Sequence, residues 1–149
     1  MEENILIRKT ELQDLTAIAE VNFSAYGNKS SPFHLRQNFD LFQKTYLVAC
    51  LEKQVIGFCL SAIKPQTNIG WVLDMGVLQE HQRKGIGRGL LDHAFSLLRS
   101  QGVEVAYLTV DPLKAGPQKL YKSFGFQLSS EEKQYFGPGK HRFVMSCAL

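Results

Sequence analysis

The chain has 149 residues, 44% of them hydrophobic and 21% charged, enough to fill the core of one domain spanning residues 1–149. A net charge of only +3 gives no ground for a general nucleic-acid partner, and no stretch is long and apolar enough to span a bilayer. Cys50, Cys59 and Cys147 lack metal-ligand spacing, and no metal is expected. Buried reduced thiols and a cytoplasmic location are the expected reading of an odd cysteine count without a signal peptide.

The predicted elements run β-α-α-β-β-β-α-β-α-β-β. Ile5–Lys9 is a short strand. Thr10 can cap a helix from about Glu11 to Asn22, with Leu12, Leu15, Ile18 and Ala19 on one face. The polar stretch from Tyr26 to Pro32 reads as loop, and Pro32 opens a second helix with Leu35, Phe39 and Phe42 at helical spacing. Tyr46–Leu51 and Val55–Ile63 are strands joined by a short turn, and a third strand ends at Val77. Ile86, Leu90, Ala94, Leu97 and Leu98 form the apolar face of a central helix that Gly102 ends. Val103–Val110 is the next strand, and a short helix carries Tyr121 to Gly125. Phe126–Tyr135 and His141–Ala148 then form a hairpin across Gly137-Pro138-Gly139.

The stretch LDMGVLQEHQRKGIGRGLL, residues 73–91, is chemically the most specific. An apolar strand ends, a Gly-rich turn follows and a helix begins. The first amides of a helix have no partners within it, and its N-terminus carries partial positive charge. Glycines at 85, 87 and 89 let an anion approach the backbone closely. Gln82, Arg83, Lys84 and Arg88 surround the turn with donors and positive charge, and His81 extends the basic cluster. A Walker A loop would need Gly-Lys followed by Ser or Thr, but Gly85 is followed by Ile86, and a dinucleotide fingerprint would need its third glycine one place beyond Gly89.

Gln82-x-x-Gly85-x-Gly87 resembles the acyl-CoA pyrophosphate loop of the GCN5-related N-acetyltransferases (GNAT). Residues 120–126, LYKSFGF, are similar to that family's Leu-Tyr-x-x-x-Gly-Phe signature. ILIR at 5–8, followed by Asp14-Leu15, looks like its first strand and helix. The resemblance implies an α/β (α+β) fold. Its mixed, mostly antiparallel sheet of about seven strands would splay between strands 4 and 5, flanked by about four helices. It implies acetyl-CoA as co-substrate. The diphosphate would lie on the amides from Arg83 through Gly85, Ile86 and Gly87 to Arg88, with Gln82 beside them. The pantetheine arm would lie on the main chain of Met75 and Val77, with the Val77 N–H polarising the thioester carbonyl. Tyr121 matches the usual general acid. Where the family often has Asn and Ala, this chain has Lys114 and Pro117; Lys114 could contact a CoA phosphate or stand in solvent.

The base is less legible. Asp74 is the one acid on the central strand, and strict alternation points it opposite Met75 and Val77 unless a bulge intervenes. Glu80 reads as solvated, and Trp71 falls near a position where some members place a catalytic glutamate. The acceptor groove implied by the resemblance draws on Phe23, Tyr26, Phe33 and His34, then Tyr135, Phe136 and His141. QYFGPGKHRFVM is similar to a segment of ribosomal-protein and other protein N-terminal acetyltransferases. The expected activity is direct acetyl transfer to a primary amine of a small molecule or peptide, with protein N-termini as a narrower alternative. A non-catalytic acyl-CoA-binding module is the alternative of another class. A homodimer is possible, and no membrane or nucleic-acid partner is expected.

Overall fold

A computed structural model describes residues 4–27 and 32–149, without the side chains of Pro32 and Phe33. Its strands are β1 (Ile5–Lys9), β2 (Tyr46–Leu51), β3 (Gln54–Ile63), β4 (Ile69–Val77), β5 (Val105–Val110), β6 (Gln127–Glu132) and β7 (Arg142–Ala148). Its helices are α1 (Leu15–Tyr26), α2 (Pro32–Phe42), α3 (Ile86–Ser100) and α4 (Ala115–Phe124). The expected element order is present. The strands form one seven-stranded sheet in the order β1-β2-β3-β4-β5-β7-β6. Neighbours pair antiparallel except β4 and β5, which are parallel.

Several boundaries differ from the sequence reading. Thr10 does not cap α1. A single 3-10 turn at Leu12–Asp14 comes first, and the helix starts at Leu15. Glu11 is the N-cap of that turn, and the Asp14 side chain reaches back to take the Glu11 N–H at 2.7 Å and a two-pronged bond from Arg8 at 2.7 and 3.0 Å. Burial alone would raise the Asp14 carboxyl, but Arg8 and that N–H hold it below its ordinary value. Tyr26 is the last residue of α1, not the first of a loop, because Gly27 supplies the left-handed cap. The last two strands are shorter than expected. β6 ends at Glu132 and β7 begins at Arg142, so residues 133–141 form a long loop and not a tight turn at Gly137-Pro138-Gly139.

Two apolar layers cover the sheet. Ile86, Leu90, Leu91, Ala94, Phe95 and Leu98 of α3 pack with Tyr121 of α4 against Leu47, Ala49, Ile56, Cys59, Val72 and Met75. Ile18 and Val21 of α1 pack on the other face with Tyr46, Val48, Cys50, Phe58 and Leu60. The three cysteines are buried and unpaired, as the composition suggested.

The feature that positions the site is where β4 and β5 stop pairing. Their ladder covers only Ile69–Trp71 against Val105–Tyr107, although both strands continue. Beyond Trp71 the sheet is open, and a slot connects its two faces. Groups from the α1 layer and the α4 layer can therefore meet without crossing a strand.

Candidate active site

A cleft of about 290 Å³ occupies this slot. Its lining includes Asn22 and Tyr26 from α1, Asp74 from β4, Thr109 and Val110 from β5, and Tyr121 from α4. Lys114, Pro117, Asp111 and Arg142 form the rest of the wall. Tyr26 and Tyr121 thus come from opposite layers of the fold.

A bulge lies immediately before Asp74. Leu60 pairs with Asp74 but Ser61 pairs with Val72, which leaves Leu73 as the extra residue. Val72 and Met75 both pack against the α3 layer. Asp74 is turned to the face shared by Gly76, whose missing Cβ would meet Phe58 at 2.9 Å and Tyr26 at 3.5 Å. The acid does point opposite Met75, and that direction is into the cleft. Asp74 stays open to solvent at the mouth, but protein surrounds it on its other sides. This desolvation pushes its carboxyl up to about 6, with the Met75 N–H pulling in the other direction. Desolvation also raises both tyrosines, Tyr26 to about 12 and Tyr121 further. Both phenols are neutral hydrogen-bond donors at physiological pH.

The backbone of β4 supplies further groups. Leu78 N–H bonds Ile56 O at 2.8 Å, which fixes the phase of the β3–β4 ladder. Phe58 with Gly76 and Leu60 with Asp74 are then the exchanging pairs, so the main chain of Met75 and Val77 points towards the slot. Two of these groups already have partners. The Tyr26 hydroxyl donates to Met75 O, and Gln82 Nε2 donates to Val77 O at 3.0 Å. Gln82 therefore ties the Gly-rich turn to the end of β4. Among the described residues, the Val77 N–H is the group that this arrangement leaves directed into the slot.

The turn itself has two left-handed residues, Arg83 at φ 64° and Gly85 at φ 84°. Gly85 caps α3, whose first bond runs from Gly89 N–H to Gly85 O at 3.0 Å. The N–H groups from Gly85 to Arg88 have no acceptor within the helix. Of the three glycines, Gly85 alone has open space where a Cβ would stand. A Cβ on Gly87 would meet Leu120 and Met75, and one on Gly89 would meet Ile7. Arg88 lies over the Phe124 ring at 5.3 Å and donates to Ser123 at 3.3 Å. Arg83, Lys84 and Gln82 are exposed. Buried Ile86 seats the turn in the core.

The family model described as "Acetyltransferase (GNAT) family" matches residues 12–126. The chain belongs to the GNAT acetyltransferase family. Its sheet, open between β4 and β5, is the fold that the resemblance implied. An N-alpha-acetyltransferase of Sulfurisphaera tokodaii is 23% identical, over 96% of this chain and 92% of that one. The crystal structure of Ard1 from Thermoplasma volcanium superposes with a TM-score of 0.90 at 18% identity, covering 97% of each chain. The diaminobutyrate acetyltransferase EctA of Paenibacillus lautus was solved with its substrate L-2,4-diaminobutyric acid and coenzyme A. It superposes at 0.84 with 19% identity, over 99% of this chain and 96% of that one.

Against this GNAT frame, the sequence-derived acceptor residues divide. Tyr26 lines the cleft, while His141 and Phe136 line a neighbouring groove. Tyr135 lines neither cavity and packs edge-on against Phe136 at 4.7 Å. The Phe33 side chain falls outside the described residues. Phe23 and His34 are exposed. Lys114 stands over the Tyr26 ring at 5.4 Å, on the cleft wall. Asn22, Thr109, Asp111 and Arg142 escaped the sequence reading. Asp111 and Thr109 could have been found from their place at the end of β5, on the strand that borders the slot.

Proposed function

We propose that this GNAT protein transfers the acetyl group of acetyl-CoA directly to a primary amine, and that a peptide or protein N-terminus is the favoured acceptor. The observation that carries the reading is the slot beyond Trp71 and Tyr107, where a desolvated acid, two phenols and a strand N–H converge. The Gly-rich turn would hold the diphosphate on the amides of residues 83–88. The slot would hold the pantetheine arm along Met75 and Val77.

The chain's own groups divide the chemistry. The Asp74 carboxylate takes a proton from the incoming ammonium, and a base with a pKa near the working pH suits that task. The freed amine attacks the thioester carbon. The Val77 N–H donates to the carbonyl oxygen as negative charge develops there, a contribution commonly worth about 3 kcal/mol. The carbon–sulfur bond breaks, and the Tyr121 hydroxyl gives its proton to the departing thiolate. The surplus proton on the new amide nitrogen returns to the phenolate through solvent. Tyr26 positions the strand by holding Met75 O. Lys114 in place of the family's Asn stands on the acceptor side of this arrangement.

The peptide reading is favoured by a second cavity. A groove of about 760 Å³ runs on from the cleft and shares Asp111 and Arg142 with it. A chain trailing behind the amine has a place to lie. The test is thiol release from acetyl-CoA with a panel of amines and N-terminal peptides, with mass spectrometry locating the acetyl group. The expected result is release with acetylation of an α-amine. Binding of acetyl-CoA without release for any acceptor would replace this reading with a non-catalytic acyl-CoA-binding module.

A further inference from the structure

Acid and base line the same cleft. Asp74 is exposed at its mouth, with buried Tyr121 behind it. The rim towards the groove holds Lys114 and Arg142, and Arg142 continues into the groove with Lys140 and His141. Asp111 is the one acid shared by both cavities, and its carboxylate accepts the Leu113 N–H at 3.0 Å.

The rim cations are not committed to protein carboxylates. Among the described residues the ion pairs are Arg8 with Glu11 and Asp14, and Arg36 with Asp40. Lys114 rests over the Tyr26 ring at 5.4 Å and Arg142 over the Phe136 ring at 5.1 Å. Arg142 also donates to His141 O at 2.7 Å. Aromatic faces orient both cations and leave their charge available, because a ring offers no neutralising anion.

We infer that the acceptor is acidic: its amine leads, and a carboxylate side chain follows within about three residues. This rests on the N-acetyl transfer proposed above and names the acceptor class for that site. Asp74, Lys114 and Arg142 line one cleft, and the groove that Arg142 shares with Lys140 continues from it. An extended peptide advances about 3.5 Å per residue, so a chain whose amine is at Asp74 and whose tail follows the groove carries its next side chains past these cations. Acidic side chains there meet Lys114, Arg142 and Lys140. A diamine would bring a second ammonium to the same cations, which is repulsion built against that class.

The test compares peptides that share a tail and begin Ala-Asp-Glu, Ala-Asn-Gln or Ala-Lys-Arg, alongside a linear diamine. Two readouts are taken: kcat/KM for thiol release, and equilibrium binding of each acceptor to the CoA-loaded protein. The acidic peptide should exceed its amide counterpart about tenfold in both, and the basic peptide and diamine should be weaker still. The advantage should shrink towards twofold at about 1 M salt, where the Debye length is about 3 Å. Arg142→Glu should reverse the order of acidic and basic peptides. Lys140→Glu, at an exposed position, should cut the acidic advantage even if Arg142→Glu does not fold. Equal rates for the three peptides would overturn the inference while leaving peptide acetylation standing. A preference for the basic peptide or the diamine would also overturn it. If no acceptor is turned over, the proposed reaction fails, and the binding order alone decides the inference: acidic first supports it, no order overturns it.

Discussion

Replacing Gly85 by alanine separates backbone geometry from contact at the Gly-rich turn. Gly85 holds φ 84° at the N-cap of α3, and an added Cβ would find nothing within 4 Å. The cost is therefore conformational, about 1–2 kcal/mol for an L-residue in the left-handed region. The chain can meet that cost in two ways. If the turn keeps its shape, the free energy of unfolding falls by that amount. If the turn relaxes, its N–H groups lose their aim and acetyl-CoA affinity drops roughly 5- to 30-fold. Gly116→Ala is the control, because its Cβ would also find nothing within 4 Å, its backbone is helical without a positive φ, and it lies outside the Gly-rich turn. Denaturant unfolding and calorimetric titration with acetyl-CoA on both variants give the two numbers. Gly85→Ala should lose in at least one assay, and Gly116→Ala should stay close to the parent in both. A Gly85→Ala protein with parental stability and affinity would refute the left-handed cap as the device that shapes this site.

Tyr121→Phe keeps the buried ring and removes one hydroxyl, so turnover should fall about 10²–10⁴-fold with little change in acetyl-CoA affinity; unchanged turnover in single-turnover kinetics would assign thiolate protonation to another group. For Asp74, kcat/KM of the parent should rise with pH through about 6, as the carboxyl ionises, and Asp74→Asn should abolish that limb. The stability effect has the opposite sense. The folded state holds this proton more tightly than the unfolded chain, so stability present below the unfolded pKa of about 3.9 is lost as pH rises through the folded value. Asp74→Asn should therefore gain on the parent in thermal melts between acid and neutral pH, and parallel melts would argue against the desolvation. Gly76→Ala would place a Cβ 2.9 Å from the buried Phe58 ring; overpacking of this kind costs about 1–3 kcal/mol, and a melt matching the parent would show that the ring can yield.

Much of the fold was legible because its elements carry local signals. The spacing of Ile86, Leu90, Ala94 and Leu98 marked α3, and the continuous apolar run from Tyr46 to Leu51 marked β2. The Gly-rich turn was legible for the same reason: strand, glycine and helix are consecutive in the chain. The start of α1 was misread because a 3-10 turn capped by Glu11 comes first, and Arg8 and the Glu11 N–H hold the Asp14 side chain at its end. That contact needs β1 and α1 already in place. The direction of Asp74 relative to Met75 followed from strand alternation, with the bulge at Leu73 lying before it. Alternation could not show that this face opens onto the cleft, because that depends on where β4 and β5 stop pairing. Arg142 and Asp111 were missed because they meet only across the β5–α4 connection and the long loop before β7. Gln82 was read as a donor for an anion, yet it braces Val77 O. Sequence spacing gives a residue's neighbourhood in the turn but not the direction of its amide.

The most direct measurement is a crystal structure of the protein with coenzyme A bound. The account predicts the diphosphate on the amides of residues 83–88, the pantetheine arm in the slot between β4 and β5, and the sulfur within hydrogen-bond reach of the Tyr121 hydroxyl. A coenzyme seated elsewhere, or a sulfur remote from Tyr121 and Asp74, would contradict it.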